Sequence, residues 1–223
     1  MADFKIAYYD WIKPAEGGYG WLAGDSGGET YAGISRNYNP DWKGWSSIDF
    51  EKKSKYGGKP LPNNYKIPSI DYLVVQWYND FWNKNNFGRI ANQDVANILF
   101  DWFVNSGSLA VYTPGTNTYG IDEILNRDYN AKLPTDKKVD LATVNAINNV
   151  KDQNRLHDTI KKERINFYKV LDATNPEIHK ANFLPGWLNR INKFPTLSTT
   201  IVFGGAALVL ILLVTLILFL YLQ

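Results

Sequence analysis

A mainly helical domain followed by one transmembrane helix is the fold class this sequence predicts, on three observations. Apolar and aromatic residues recur at helical spacing through most of the chain ahead of its last stretch. A glycine-laced interval, 17–35, breaks that pattern close to the N-terminus. Residues 201–222 are uncharged and overwhelmingly apolar, and about 20 such residues suffice to cross a bilayer as a helix.

Each element follows from its local pattern. Phe4, Ala7, Tyr8 and Trp11 share one helical face, which predicts a helix over 3–12 that Pro14 ends shortly before Glu16. The interval 17–35 is expected to be a loop with at most a small hairpin. The Pro-, Gly- and Asn-rich stretch 37–68 is expected to be a long surface excursion with a short helical piece near Asp49. Helices are then predicted over 69–82, 92–105, 120–129, 140–149, 153–172 and 183–193. Tyr72, Trp77, Tyr78, Phe81 and Trp82 crowd the first of these, and Val95, Ile98, Leu99, Trp102 and Phe103 the second, at a spacing that favours core packing over a sugar platform. Asn105-Ser106-Gly107 has the composition of a helix terminus, and Lys161-Lys162-Glu163-Arg164 that of a solvated helix face.

Composition narrows the function classes. Of 223 residues, those ahead of the apolar tail are enough for one compact core. Aromatic residues make up 15% of the chain, with 8 Trp and 14 Tyr, which suits a core, an interface or sugar stacking. A net charge of +2 gives no electrostatic case for nucleic acid. Cysteine is absent, which excludes disulfides and thiol catalysis. His157 and His179 stand apart with no metal-ligand spacing, and no phosphate-binding glycine loop follows a strand, so neither metal nor cofactor is expected.

The chemistry-bearing string is Glu16-Gly17-Gly18-Tyr19, then Asp25, Gly27-Gly28-Glu29-Thr30 and Gly33-Ile34-Ser35. Glycosidic cleavage needs a carboxyl that protonates the leaving oxygen and a second polar group that positions water. Glu16 and Asp25 supply such a pair. Glu16 stands at a helix exit beside Trp11, Tyr19 and Trp21, which would desolvate it as a general acid requires, and the glycines let backbone approach a polymer closely. Ordinary turn chemistry with a solvated glutamate is the competing reading of the same residues.

Taken in order, Glu16 to Ser35 resembles the EGGY-type muramidases of glycoside hydrolase family 108. Phe100 to Gly107 resembles that family's buried central helix, and Gly186-Trp187-Leu188-Asn189-Arg190-Ile191 is similar to the closing segment of its C-terminal half, a predicted peptidoglycan domain. The loop is also similar to that of tailed-phage lysozymes. The resemblance implies a lysozyme-like helical domain in which Glu16 is the general acid of an inverting reaction. Asp25, helped by the Thr30 hydroxyl, would hold the attacking water, and Tyr19 and Asn105 would contact the sugar. It also implies three parts: a muramidase region over 1–108, a C-terminal helical domain over 109–194 packed with the first as one unit, and a transmembrane tail over 195–223. Two departures stand out. Gly20 to Gly24 is more apolar than the family's usual chemistry there. The family's glycine-bearing turn is represented by Asp136 to Thr143 with both glycines replaced, so this half is not expected to be a working peptidoglycan-binding module.

The implied partner is the glycan strand of peptidoglycan, with a lipid bilayer or hydrophobic helix bundle around 201–222. Gly204-Gly205-Ala206-Ala207 offers a small-residue surface for self-association. No secretory signal is expected at the N-terminus, and Lys180, Arg190 and Lys193 would bias the domain to the cytoplasmic side, away from the wall. Export, or packaging in a phage or contractile-injection particle, would resolve that conflict. Two functions follow from the sequence: a membrane-anchored muramidase, and a non-catalytic membrane or particle component built on a lysozyme-like domain. Retention of Glu16, Asp25 and Thr30 together favours the first.

Overall fold

The computed structural model describes residues 1–21, 27–106, 118–135 and 139–198. The first helical stretch comprises α1 (Phe4–Ile6), a π-helical turn (Ala7–Ile12) and α2 (Lys13–Ala15). Asp3 caps its start by accepting from the Lys5 amide. Pro14 does not end the helix before its own position. The wider π turn gives its ring room that an α-helical carbonyl four residues back would deny it, and the helix stops one residue later, with Glu16 extended.

Three short strands follow, β1 (Tyr19–Gly20), β2 (Thr30–Tyr31) and β3 (Ile34–Ser35), paired antiparallel in the order β1-β2-β3. This is a sheet where a small hairpin was expected. Tyr31 pairs with Tyr19 and with Ile34, and all three are buried. The β2–β3 turn is Ala32-Gly33, both at positive φ (47° and 78°), the two-residue form that matches strand twist. The Glu29 carboxylate collects the Tyr19 hydroxyl (2.7 Å), Arg36 (2.7 Å) and Lys52, and Arg36 continues to Asp49. The sheet is thereby tied to the next helix. Burial works against the Glu29 charge, but its three donors hold the carboxyl below the ordinary range.

The helical piece expected near Asp49 within 37–68 is present and longer than a short turn. It is α3 (Gly44–Tyr56), 13 residues long, with Trp45 and Ile48 buried and Gly57 in the left-handed conformation at its end. Trp42, Leu61 and Ile67 bury beside it. Next come α4 (Asp71–Lys84), α5 (Gln93–Ser106), α6 (Ile121–Tyr129), α7 (Leu141–Asn149), α8 (Gln153–Thr174), α9 (Pro176–Ala181) and α10 (Leu184–Asn192). All but the short α9 were expected within a residue or two. Asp140, Asp152 and Asn175 cap α7, α8 and α9 by accepting from backbone amides. The central helix is α5, buried without interruption from Val95 to Trp102. It packs on α8 and on the π-helical turn, and α8 packs on α10.

Residues from both halves of the chain share one hydrophobic cluster. The boundary expected at 108/109 lies outside the described residues. The chain after α10 is fastened to the domain. Phe194 stacks on Trp11 at 4.0 Å, and Asp158 accepts from the amides of Leu197 (2.9 Å) and Ser198 (2.8 Å) and from the Ser198 hydroxyl. Burial raises the Asp158 carboxyl, but these donors and His157 outweigh it and hold the group at about 2. A carboxyl depressed on folding contributes stability above its unfolded value and loses it as pH falls through the folded one. The contribution should therefore fade from about pH 4 to pH 2. Asp158→Asn should lose about 1.5–3 kcal/mol at neutral pH and melt with a weaker acid dependence; an acid profile identical to the parent would refute this.

The apolar tail, 201–222, lies outside the described residues. Among the described residues no helix is long and apolar enough to cross a membrane.

Candidate active site

Glu16 sits at the junction of the first helix and β1, its amide donating to Ile12 O at 3.0 Å. Its side chain points toward the C-terminal half. Oε1 accepts from Arg190 Nη1 of α10 at 2.8 Å, across 174 positions of sequence. Arg190 turns Nε and Nη2 onto Asp101 Oδ1 of α5, at 2.9 and 2.7 Å. Asp101 Oδ2 accepts from Arg164 Nη2 of α8 at 2.6 Å. Two carboxylates and two guanidiniums thus alternate from the middle of the core out to Glu16. Arg164 and Asp101 are 0% and 1% exposed, Arg190 and Glu16 16% each. Burial opposes the Arg190 charge, but Asp101 and Glu16 more than offset it, and the guanidinium is held above its ordinary value.

Gly33 closes the other side of the carboxyl. A Cβ there would stand 2.5 Å from Glu16 Oε2 and 2.6 Å from the Tyr78 hydroxyl, which donates to Ala32 O at 2.8 Å. Only a residue without a side chain fits at this φ and this distance. Glu16 is therefore gripped at Oε1 by Arg190 and walled at Oε2 by the β2–β3 turn.

The carboxyl lines a cavity of about 100 Å³ with Tyr8, Lys13, Tyr31, Lys66, Asp71 and Tyr78. Burial pushes the Tyr78 phenol well above its ordinary value, with Glu16 adding to the effect. Burial, then Tyr9, Asp71 and Glu16, pushes Tyr8 up to about 12. Both phenols stay neutral at physiological pH. The desolvating wall expected from Trp11, Tyr19 and Trp21 is differently made. Trp11 stacks on Phe194, Trp21 is 52% exposed, and Tyr8, Tyr31 and Tyr78 line the Glu16 cavity instead.

Asp25 lies outside the described residues. Thr30 does not line the Glu16 cavity; its hydroxyl turns to Gly20 O at 3.3 Å. Tyr19 is 1% exposed with its hydroxyl on Glu29, which leaves it no surface for a sugar and gives it a structural part in the sheet. Asn105 lines a neighbouring cavity of about 280 Å³ with Pro14, Ala15, Trp187 and Arg190, and its buried Oδ1 has no partner among the described residues. Gly18 approaches the chain's own backbone rather than a ligand: a Cβ would meet Tyr65 O at 2.3 Å.

Asp71, Asp101, Arg164 and Arg190 are brought to Glu16 by the fold and, Asp101 apart, carry no local mark of it in the sequence. Arg164 was expected on a solvated face and is instead fully buried, because α8 turns it toward Asp101. A buried guanidinium needs a carboxylate partner, and the one signal available was Asp101 amid the apolar run Ile98 to Val104. His157 is buried against Asp158, and His179 is an exposed partner of Asp172. Among the described residues no group of three acids or histidines is placed to hold a metal ion.

Residues 9–107 match the family model described as Glycosyl hydrolase 108. That match supports a glycoside hydrolase activity of the lysozyme type for this chain. A solved structure of Brucella abortus SagA aligns with 82% of this chain and 86% of its own length, at 19% identity and a TM-score of 0.48. No curated protein matches the chain.

Proposed function

We propose that the chain is a muramidase-type peptidoglycan hydrolase that cuts the bond between N-acetylmuramic acid and N-acetylglucosamine, with Glu16 as general acid. The observation that carries this reading is the grip on Glu16: one oxygen fixed by Arg190, the other held over Gly33 at the wall of a phenol-lined cavity. A general acid must be oriented before it can act, and preorganisation of this kind lowers the cost of reaching the transition state. Glu16 gives its proton to the glycosidic oxygen as the C1–O bond breaks. Water then adds to C1 from the opposite face and loses a proton to a second carboxylate. In the order of the motif Asp25 takes that second role, with Thr30 beside it once its hydroxyl turns from Gly20 O. A specific observation favours a second reading: Asp71 lines the cavity with Glu16.

The test is release of reducing sugar from purified peptidoglycan. Glu16→Gln should lower turnover by about 10²–10⁴, and a folded variant with parental turnover would refute the assignment. Asp25→Asn and Asp71→Asn, compared side by side, decide which carboxylate works with Glu16, since only the working one should approach that loss. The anomeric configuration of the product reports inversion directly.

The tail is proposed as a membrane anchor on the strength of its uncharged, apolar sequence over 201–222, in a protein delivered by a phage or injection particle. The full chain should remain with membranes through salt and alkaline washing; recovery in the wash would remove the anchor.

A further inference from the structure

A second, larger cavity lies on the far side of α4. Asp71, Val74 and Tyr78 face the Glu16 cavity. Leu73, Gln76, Trp77 and Asp80 line the other, at the i, i+3, i+4, i+7 spacing of a single helix face. At about 100° per residue the two sets point in roughly opposite directions. The loop Tyr38 to Lys43, between β3 and α3, completes a space of about 490 Å³.

We propose that this cavity is a second glycan-binding site, distinct from the site of cleavage; it rests on the reading of the protein as a peptidoglycan hydrolase. Its lining has the chemistry of sugar recognition. Tyr38 and Trp77 offer ring faces to the C–H face of a pyranose, while Asp41, Gln76 and Asp80 offer oxygens to hydroxyl and acetamido N–H donors. Lys43 is the one cation among the lining residues, against two carboxylates. That balance disfavours phosphate and nucleic acid, and an apolar segment would leave the acids and amides unpaired.

The site is built in advance. The Trp42 indole N–H donates to Leu73 O at 3.4 Å, that of Trp45 to Asn39 O at 2.7 Å, and the Asn39 amide to Ser35 O at 3.0 Å. Trp77 stacks on Phe81 with an interplanar angle of 13°, which sets the pitch of its ring. A ligand would therefore meet a shaped wall. On an insoluble polymer, a hold on one strand beside a cut on another raises the effective concentration of substrate.

The triple variant Tyr38→Ala, Gln76→Ala, Asp80→Ala changes only exposed side chains. Full-length protein in detergent, with Glu16→Gln to prevent cleavage, should be retained on insoluble peptidoglycan in sedimentation assays, and the triple variant should be retained about tenfold less. In the Glu16 background, the triple variant should hydrolyse short soluble glycan fragments with the parental kcat/KM. Unchanged retention overturns the proposal, as does a loss on soluble fragments equal to that on the wall, which would make the cavity part of the cleavage site. A parent that binds through this cavity but cleaves no glycan leaves the site standing and removes the hydrolase reading instead.

Discussion

Gly33→Ala is expected to abolish turnover as completely as loss of the acid itself, about 10²–10⁴, without touching a residue that could take part in the chemistry. The added carbon would have to occupy space 2.5 Å from Glu16 Oε2 and 2.6 Å from the Tyr78 hydroxyl. Neither can easily give way. Tyr78 is buried and bonded to Ala32 O, and the opposite carboxylate oxygen is tied to Arg190. The backbone adds its own cost, since a φ of 78° disfavours any side chain by about 1–3 kcal/mol. Turnover on peptidoglycan together with a thermal melt checks both parts. A Gly33→Ala protein that keeps parental activity would show that the position of Glu16 beside this turn has no bearing on catalysis.

Arg190→Met should produce the largest loss of stability. It leaves Asp101, 1% exposed, with only the single bond from Arg164, and frees Glu16 from its anchor. Breaking a buried ion pair from one side costs about 3–5 kcal/mol, or roughly 6–20 °C in Tm for a domain of this size. Turnover should fall with it, because the acid loses its orientation. Two companions separate the effects. Arg190→Lys keeps the charge but cannot bridge both carboxylates with a planar fork, so it should retain only part of the stability and of the activity. Arg190→Met with Asp101→Leu removes the stranded charge and should regain stability while turnover stays low. Recovery of full turnover in that pair would mean that Arg190 serves the fold and not the acid.

Much of the fold was legible because helical periodicity is a local property. α4, α5 and α8 each carry enough large apolar residues at 3.6-residue spacing to declare themselves. α3 did not. Within Gly44–Tyr56 the buried residues are Gly44, Trp45 and Ile48, too few to mark a face amid the charges that follow. Its burial depends on Trp42, Leu61 and Ile67, which the chain brings in from either side. The sheet was hidden for a similar reason: strands of two residues have no period to detect, and their register shows only in the Tyr19, Tyr31 and Ile34 pairing.

The candidate site divides along the same line. Glu16, the helix that presents it and the glycine turn behind it are contiguous in sequence, so residue type and spacing alone determined that an acid would stand at a helix exit beside a tight turn. What the carboxyl touches was decided by tertiary structure. Arg190 reaches it from the far end of the domain, Asp101 and Arg164 come from two further helices, and Asp71 arrives from α4. A charged residue reads as solvated until its partner is known, because the sign of its contribution depends on whether water or an opposite charge surrounds it. That information lies in no local window of the chain; it exists only once α5, α8 and α10 have packed.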